Sequence, residues 1–284
     1  MPSTQRVVVV TDSTSYLPDG IAEALDVRVV GLQIDLGTRS GREGVDVSPA
    51  DVTEALRAHK SVMTSRPAPA EFVKVFAAAF EAGATAVVAV HLSAQLSGTC
   101  DSARLAAAEF DKGLVTVVDS RATAMALGFA VIAAAEKAAA GGSAAEVAQA
   151  ATSCIDDSSA LFYVDSLEWL HRGGRIGTAA AMLGTALAMK PLLHLVDGRI
   201  LPMEKVRTSS KAIARLVAIA VNAAGSREVD LAVQHLAAPD RASEVAGQLK
   251  EQVPHIRHFH ESEVGAVVGA HVGPGLLGVV VRRL

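Results

Sequence analysis

Asp-Ser recurs three times where an apolar run stops: Thr11-Asp12-Ser13 after Val7 to Val10, Val118-Asp119-Ser120, and Val164-Asp165-Ser166. A carboxylate and a hydroxyl at the carboxyl end of a strand stand where α/β sheets usually receive ligands. The same side chains also bond nearby backbone N–H groups, so capping of the next turn accounts for them with no ligand at all. Asp12-Ser13-Thr14 lacks the second aspartate of a DxDxT phosphatase pattern, which argues against phosphoryl transfer there.

Other segments add hydroxyls, glycines and cations. Thr64-Ser65-Arg66-Pro67-Ala68-Pro69 sets two hydroxyls ahead of a proline-stiffened helix entry, where unpaired amides can hold an anion and where simple capping is the plainer reading. In His91-Leu92-Ser93-Ala94-Gln95-Leu96-Ser97-Gly98-Thr99, Ser97 before Gly98 reads as a helix N-cap following directly on a strand. Gly269-Ala270-His271-Val272-Gly273-Pro274-Gly275 is glycine-dense enough for close backbone approach, but it matches neither the Walker A nor the dinucleotide fingerprint. His271 is the one titratable side chain in it, and a lone histidine is more often packed than functional. Trp169 with Arg172-Gly173-Gly174-Arg175 offers an Arg/Trp surface suited to a protein partner or a phosphate, or else a solvated helix end. His255, His258 and His260 lack a carboxylate at matching spacing, so no metal is expected. GxSxG and HExxH are absent.

The elements that must position these groups alternate between strand and helix. Val7 to Val10, Val87 to Val90 and Val115 to Val118 read as buried parallel strands. Ser48-Pro49 with Asp51 starts one helix, Pro69 to Ala82 forms a second, and Ala122 to Ala140 a third, which ends at Gly141-Gly142. Ser143 caps a fourth, reaching about Ile155. Beyond it, Leu161 to Val164 is a strand and Asp197-Gly198 turns a hairpin between Leu192–Val196 and Arg199–Met203. Helices at Ser209–Ala224 and Pro239–Gln252 and strands near Val229–Val233, His255–His260 and Gly278–Val281 complete the pattern. The expected fold class is α/β with two α/β domains, residues 1–157 and 158–284, the first with a mostly parallel sheet and the second with a mixed one.

Composition narrows the function. Of 284 residues, 50% are hydrophobic and only 4% aromatic, so Ala and Val must fill the interior. Thirty acidic against 26 basic residues give a net charge of −4, which disfavours nucleic acid as a partner. Two cysteines, Cys100 and Cys154, form no disulfide framework, in keeping with a reducing cytoplasm. The N-terminal apolar run is too short for a signal segment or a stable membrane insertion.

Val10-Thr11-Asp12-Ser13-Thr14 with Leu17-Pro18, Thr64-Ser65-Arg66-Pro67, Leu96-Ser97-Gly98-Thr99, Val118-Asp119-Ser120, Arg172-Gly173-Gly174-Arg175-Ile176 and Gly269-Ala270-His271 together resemble the DegV family of bacterial fatty-acid-binding proteins, in family order and over nearly the whole chain. The resemblance implies a ligand tunnel near the domain junction. It would hold one long-chain fatty acid, of about sixteen to eighteen carbons, and there would be no other cofactor. It assigns the carboxylate to Thr64, Ser97 and His271, with Ser65 and Ser93 beside them. It also implies that catalysis belongs to a partner, the ATP-binding subunit of a fatty acid kinase feeding phospholipid metabolism, so that this chain is a carrier and not an enzyme. Arg172 and Arg175 are the expected kinase-facing residues. Two positions depart from the family pattern: Arg66 stands where Gln is frequent, and Cys100 where an aromatic is common. The competing expectation is an acyl hydrolase or transferase with Ser97 as nucleophile and His271 as base.

Overall fold

The computed structural model describes residues 6–182 and 190–284. In chain order the strands are β1 (Val7–Asp12), β2 (Arg28–Val30), β3 (Gln33–Asp35), β4 (Ser40–Arg42), β5 (Met63–Ser65), β6 (Ala86–His91), β7 (Val115–Asp119), β8 (Ser158–Tyr163), β9 (Lys190–Val196), β10 (Arg199–Val206), β11 (Val229–His235), β12 (Ile256–Glu263) and β13 (Leu277–Arg283). The helices are α1 (Ile21–Ala24), α2 (Pro49–Arg57), α3 (Pro69–Glu81), α4 (Thr99–Ala107), α5 (Ala124–Ala139), α6 (Ala144–Asp156), α7 (Glu168–Arg172), α8 (Ser209–Ala224), α9 (Pro239–Gln252) and α10 (Ala266–Val272).

Contacts gather the chain into two compact units, residues 1–33 with 65–156 and residues 34–64 with 157–284. The expected continuous halves, 1–157 and 158–284, therefore need correcting for segment 34–64. The reason is local: this segment builds a small sheet, β4-β3-β5, and a helix, α2, that packs on α10 near the C-terminus. The division falls at the ends of β3 and β5, leaving Gln33 and Ser65 with the first unit.

In the first unit the sheet order is β2-β1-β6-β7, all parallel. Strands β1 and β6 are buried along their whole length, which is why they read as unbroken apolar runs. One face, with Val8, Val10, Val87 and Ala89, packs on Phe72 and Phe76 of α3 and Ala103 and Ala106 of α4. The alternate side chains face α5 and α6. β7 is an edge strand and is only half-buried, unlike its expected state. α5 is buried nearly all round, from Met125 to Val131 and again at Ala133 to Ala135, as an Ala-rich helix must be when it lies between a sheet and a second helix.

The second unit has a six-stranded mixed sheet, β10-β9-β8-β13-β11-β12, in which only β11 and β12 run parallel. Leu161, Tyr163, Leu192, Leu231 and Val279 face Leu216 and Val217 of α8 and Val245 and Leu249 of α9. The hairpin turn forms at Asp197-Gly198, both with positive φ as its tight two-residue connection demands. A parallel sheet followed by a mixed one is the α/β layout expected. No helix among the described residues is long and apolar enough to cross a membrane.

Helix α2 starts as its sequence dictates. Ser48 Oγ accepts from the Asp51 N–H at 3.2 Å, and the Asp51 carboxylate accepts from the Ser48 N–H at 2.8 Å. That second bond is the leading reason the Asp51 pKa is lowered. Ser48→Ala is expected to cost about 1 kcal/mol, seen as a lower urea midpoint with an unchanged slope; an unmoved midpoint would deny the cap any weight.

Candidate functional site

Thr64 and His271 meet within the second unit: β5 presents Thr64, and α10 brings His271 Nε2 to 2.8 Å from its Oγ1. The segment Gly269-Ala270-His271 is helical rather than a loop open to a ligand. Gly269 lets α10 lie against Leu236, and the left-handed Gly273, at φ 74, ends the helix against Trp169. The other ring nitrogen of His271, Nδ1, is buried without a hydrogen-bond partner. It stands against the α-carbon side of Gly173, where any side chain would overlap the ring.

These contacts define the ring's protonation. Burial, and secondly the Arg175 guanidinium, pushes the His271 pKa down to about 4, so the ring is neutral near pH 7. A neutral imidazole carries one N–H. Placed on Nδ1 it would be a buried donor with no acceptor, whereas on Nε2 it donates to Thr64 Oγ1. The second arrangement avoids the larger penalty, and we assign it. Thr64 then directs its own O–H away from the ring, as a donor for an oxygen acceptor such as a carboxylate. Capping of α3 by Thr64 or Ser65 does not occur: Ala68 holds the N-cap position with no side-chain bond. Ser65, the next residue of β5, is exposed and points to the opposite strand face.

Ser93 and Ser97 lie in the first unit, on the turn between β6 and α4. Ser93 is fully buried and its Oγ accepts from the Gln95 N–H at 3.1 Å, which folds the turn. Ser97 does not cap α4. Gly98 occupies the N-cap, and Ser97 Oγ lies 2.9 Å from Thr99 Oγ1. A side chain on Gly98 would collide with Arg66, whose guanidinium donates to the Gly98 carbonyl. The Arg66 departure thus sets a cation on the backbone next to Ser97. Cys100 is fully buried, with Sγ 3.4 Å from the Leu92 carbonyl oxygen. Burial, and then the Asp119 charge, pushes its pKa up to about 12, so it is a packing thiol.

The two arginines of the Gly-Gly turn differ. Arg172 pairs with Glu168 at 2.7 Å, lies over the Trp169 ring at 5.2 Å, and is about half exposed, 53%. Arg175 folds back to donate to the Gly173 carbonyl.

Two clusters escaped the sequence reading. Asp12 does cap a short turn, with Oδ1 accepting from the Thr14 N–H and O–H, but its Oδ2 also accepts from the Leu92 N–H at 2.9 Å and from His91 Nδ1 at 3.1 Å. Asp12 and His91 are both wholly buried. The available signal was a histidine closing the apolar run of β6, as Asp12 closes that of β1. Asp230, in the second unit, is a buried carboxylate held by Arg257 at 2.9 and 2.6 Å, Arg282 at 3.2 Å and His258 at 3.0 Å. His258 is thereby held by its hydrogen bond to Asp230. Among the described residues no group of three or more His, Cys, Asp or Glu could hold a metal.

A parallel-sheet unit and a mixed-sheet unit define a two-unit α/β protein. The chain belongs to the DegV family: the family model described as "Uncharacterised protein, DegV family" matches residues 6–284. It is 52% identical over 277 residues to a DegV domain-containing protein of Streptomyces coelicolor, covering 98% of each chain. A solved fatty-acid-binding DegV family protein from Thermus thermophilus superposes with a TM-score of 0.94 at 34% identity, over 99% of this chain and 100% of that one. DegV from Bacillus subtilis, a fatty acid binding protein, gives 0.89 at 32% identity over the same shares.

Proposed function

We propose that this protein binds one long-chain fatty acid and presents its carboxylate to a separate kinase, which supplies ATP and forms the acyl phosphate. The observation that carries the reading is the Thr64 hydroxyl 2.8 Å from Nε2 of a neutral His271, in a chain that shares its fold over nearly its full length with fatty-acid-binding DegV proteins. Burying a sixteen-carbon chain contributes on the order of 12 kcal/mol gross at about 0.8 kcal/mol per methylene. Affinity therefore need not come from the head group. Hydroxyl donors can orient the carboxylate and leave an oxygen open to phosphorylation, which a strong bidentate arginine would hinder. The family pattern gives the same role to Ser97, with Ser93 and Ser65 beside it, although Ser93 already serves its own turn. No step of acyl chemistry is assigned to this chain, and its place is the cytoplasmic supply of acyl groups to phospholipid metabolism. Arg172, exposed over Trp169, is the stronger of the two kinase-facing candidates, since Arg175 is engaged by the turn itself.

The hydrolase reading needs a nucleophile paired with a base. In the hydrogen bonds described, His271 Nε2 is taken by Thr64 and Ser97 Oγ by Thr99. The expected result is no burst of p-nitrophenol from acyl esters; a burst abolished by Ser97→Ala would replace the carrier reading.

Lipid extraction and native mass spectrometry of the purified protein test the main reading. About one fatty acid per chain is expected, and Thr64→Val should reduce the preference for the free acid over its methyl ester roughly tenfold, as loss of one donor to a charged acceptor implies. Protein that takes up no fatty acid when saturated would overturn it.

A further inference from the structure

The small sheet β4-β3-β5 touches α10 at both of its ends. Near the C-terminal end, Thr64 of β5 meets His271. At the N-terminal end, the Glu43 carboxylate, from the residue after β4, accepts from the Val267 N–H at 2.7 Å. Glu43 is only 6% exposed, an uncommon place for a carboxylate unless it is bonded there. Val267 lies in the first turn of α10, where backbone N–H groups have no partner within the helix, and Gly265 at the N-cap supplies no side chain. Glu43 therefore fills the role of the missing cap from a distant part of the chain. The ring of His271 is further limited on its other side by Gly173, which leaves room for Nδ1 only because it has no side chain.

We propose that Glu43 is a positioning residue: by holding the first turn of α10 to the small sheet, it sets His271 Nε2 against Thr64 and so aims the Thr64 hydroxyl. This rests on the fatty-acid reading for its consequence and on geometry alone for its mechanism. Three of the seven residues of α10 are Gly or Ala, the helix spans only two turns, and a shift of even an ångström would break the 2.8 Å bond at its far end. Gly173 is the complementary element, which keeps the ring from being pushed off Thr64.

The test uses the full chain as Glu43→Ala, Glu43→Gln and Gly173→Ala, with palmitate and methyl palmitate as probes and nitrogen NMR of the His271 ring as a readout independent of any ligand. Glu43→Ala is expected to reduce the acid-over-ester preference about tenfold and to move the ring nitrogens away from the single Nε2–H tautomer. Glu43→Gln, whose amide oxygen still accepts from Val267, should restore both. Gly173→Ala should disturb the ring with Glu43 intact, and it stands in should Glu43→Ala not fold. Ring resonances in Glu43→Ala that match the wild type, or a lowered melting temperature with unchanged acid-over-ester preference, would overturn the proposal. A wild type that binds neither probe would overturn the fatty-acid reading instead, and the ring signals would still decide the positioning claim.

Discussion

Asp12→Ala is expected to destabilise the first unit by about 4 kcal/mol, the range seen when one partner of a buried, fully bonded polar network is removed. Four donors converge on that carboxylate: the Thr14 N–H and O–H on one oxygen, the Leu92 N–H and His91 Nδ1 on the other. None reaches water in the folded chain, because Asp12, Thr14 and His91 are fully buried. Deleting the carboxylate leaves all four unpaired at once and frees the turn after β1 from the end of β6. Asp12→Asn should cost about half as much, since the amide oxygen still serves Thr14 while its NH2 opposes the remaining donors. Urea unfolding with unchanged slope is the measurement, and a loss under about 1 kcal/mol for the alanine variant would show that the network is dispensable.

His271 should make stability fall as pH drops from about 6.5 towards about 4. Its pKa is lowered in the folded state from 6.5 to about 4, first by burial and then by Arg175. Between those values the unfolded chain binds the proton and the folded one resists it, so acid favours unfolding; above about 6.5 the contribution is complete. A depression of that size corresponds to at most about 4 kcal/mol at about 1.4 kcal/mol per unit. His194 and His260 are also shifted down by burial, so the useful quantity is a difference. The wild type should lose its lead over His271→Gln across this window, as read from urea midpoints at several pH values. Parallel curves for the two proteins would mean that the ring titrates as freely when folded as when unfolded.

Elements with strong local chemistry could be placed from the sequence. Ser48-Pro49 with Asp51, Asp197-Gly198, and helices α8 and α9 carry caps, turns or long amphipathic periods, and they fold where those signals lie. Strands β2 to β5 have three residues each, too few to show a period, and they went unseen. Their absence hid the pairing of segment 34–64 with the C-terminal residues, because no change of composition marks where the chain leaves one unit for the other. The glycines of α10 masked a helix, since close packing against Leu236 and Trp169 outweighed the low helix propensity of glycine. Thr64, Ser97 and His271 could be named as candidates, but not the hydrogen-bond partners of their side chains. Those partners, His271 for Thr64 and Thr99 for Ser97, come from tertiary packing in one case and from a turn that displaced the expected cap in the other.

The interleaved second unit also sets an order of events during synthesis. Thr64 precedes His271 by 207 residues and Glu43 precedes Val267 by 224. At roughly 5–20 residues per second, the ribosome takes on the order of ten to forty seconds to deliver the helix that both residues hold. During that interval residues 65–156 can complete the first unit, while Leu36, Val47, Val52 and Leu56, all buried in the finished protein, wait without their C-terminal partners. The nascent chain thus carries an apolar segment without its partners beside a folded first unit, a natural client for a chaperone, and the Thr64–His271 contact forms only once α10 has been made.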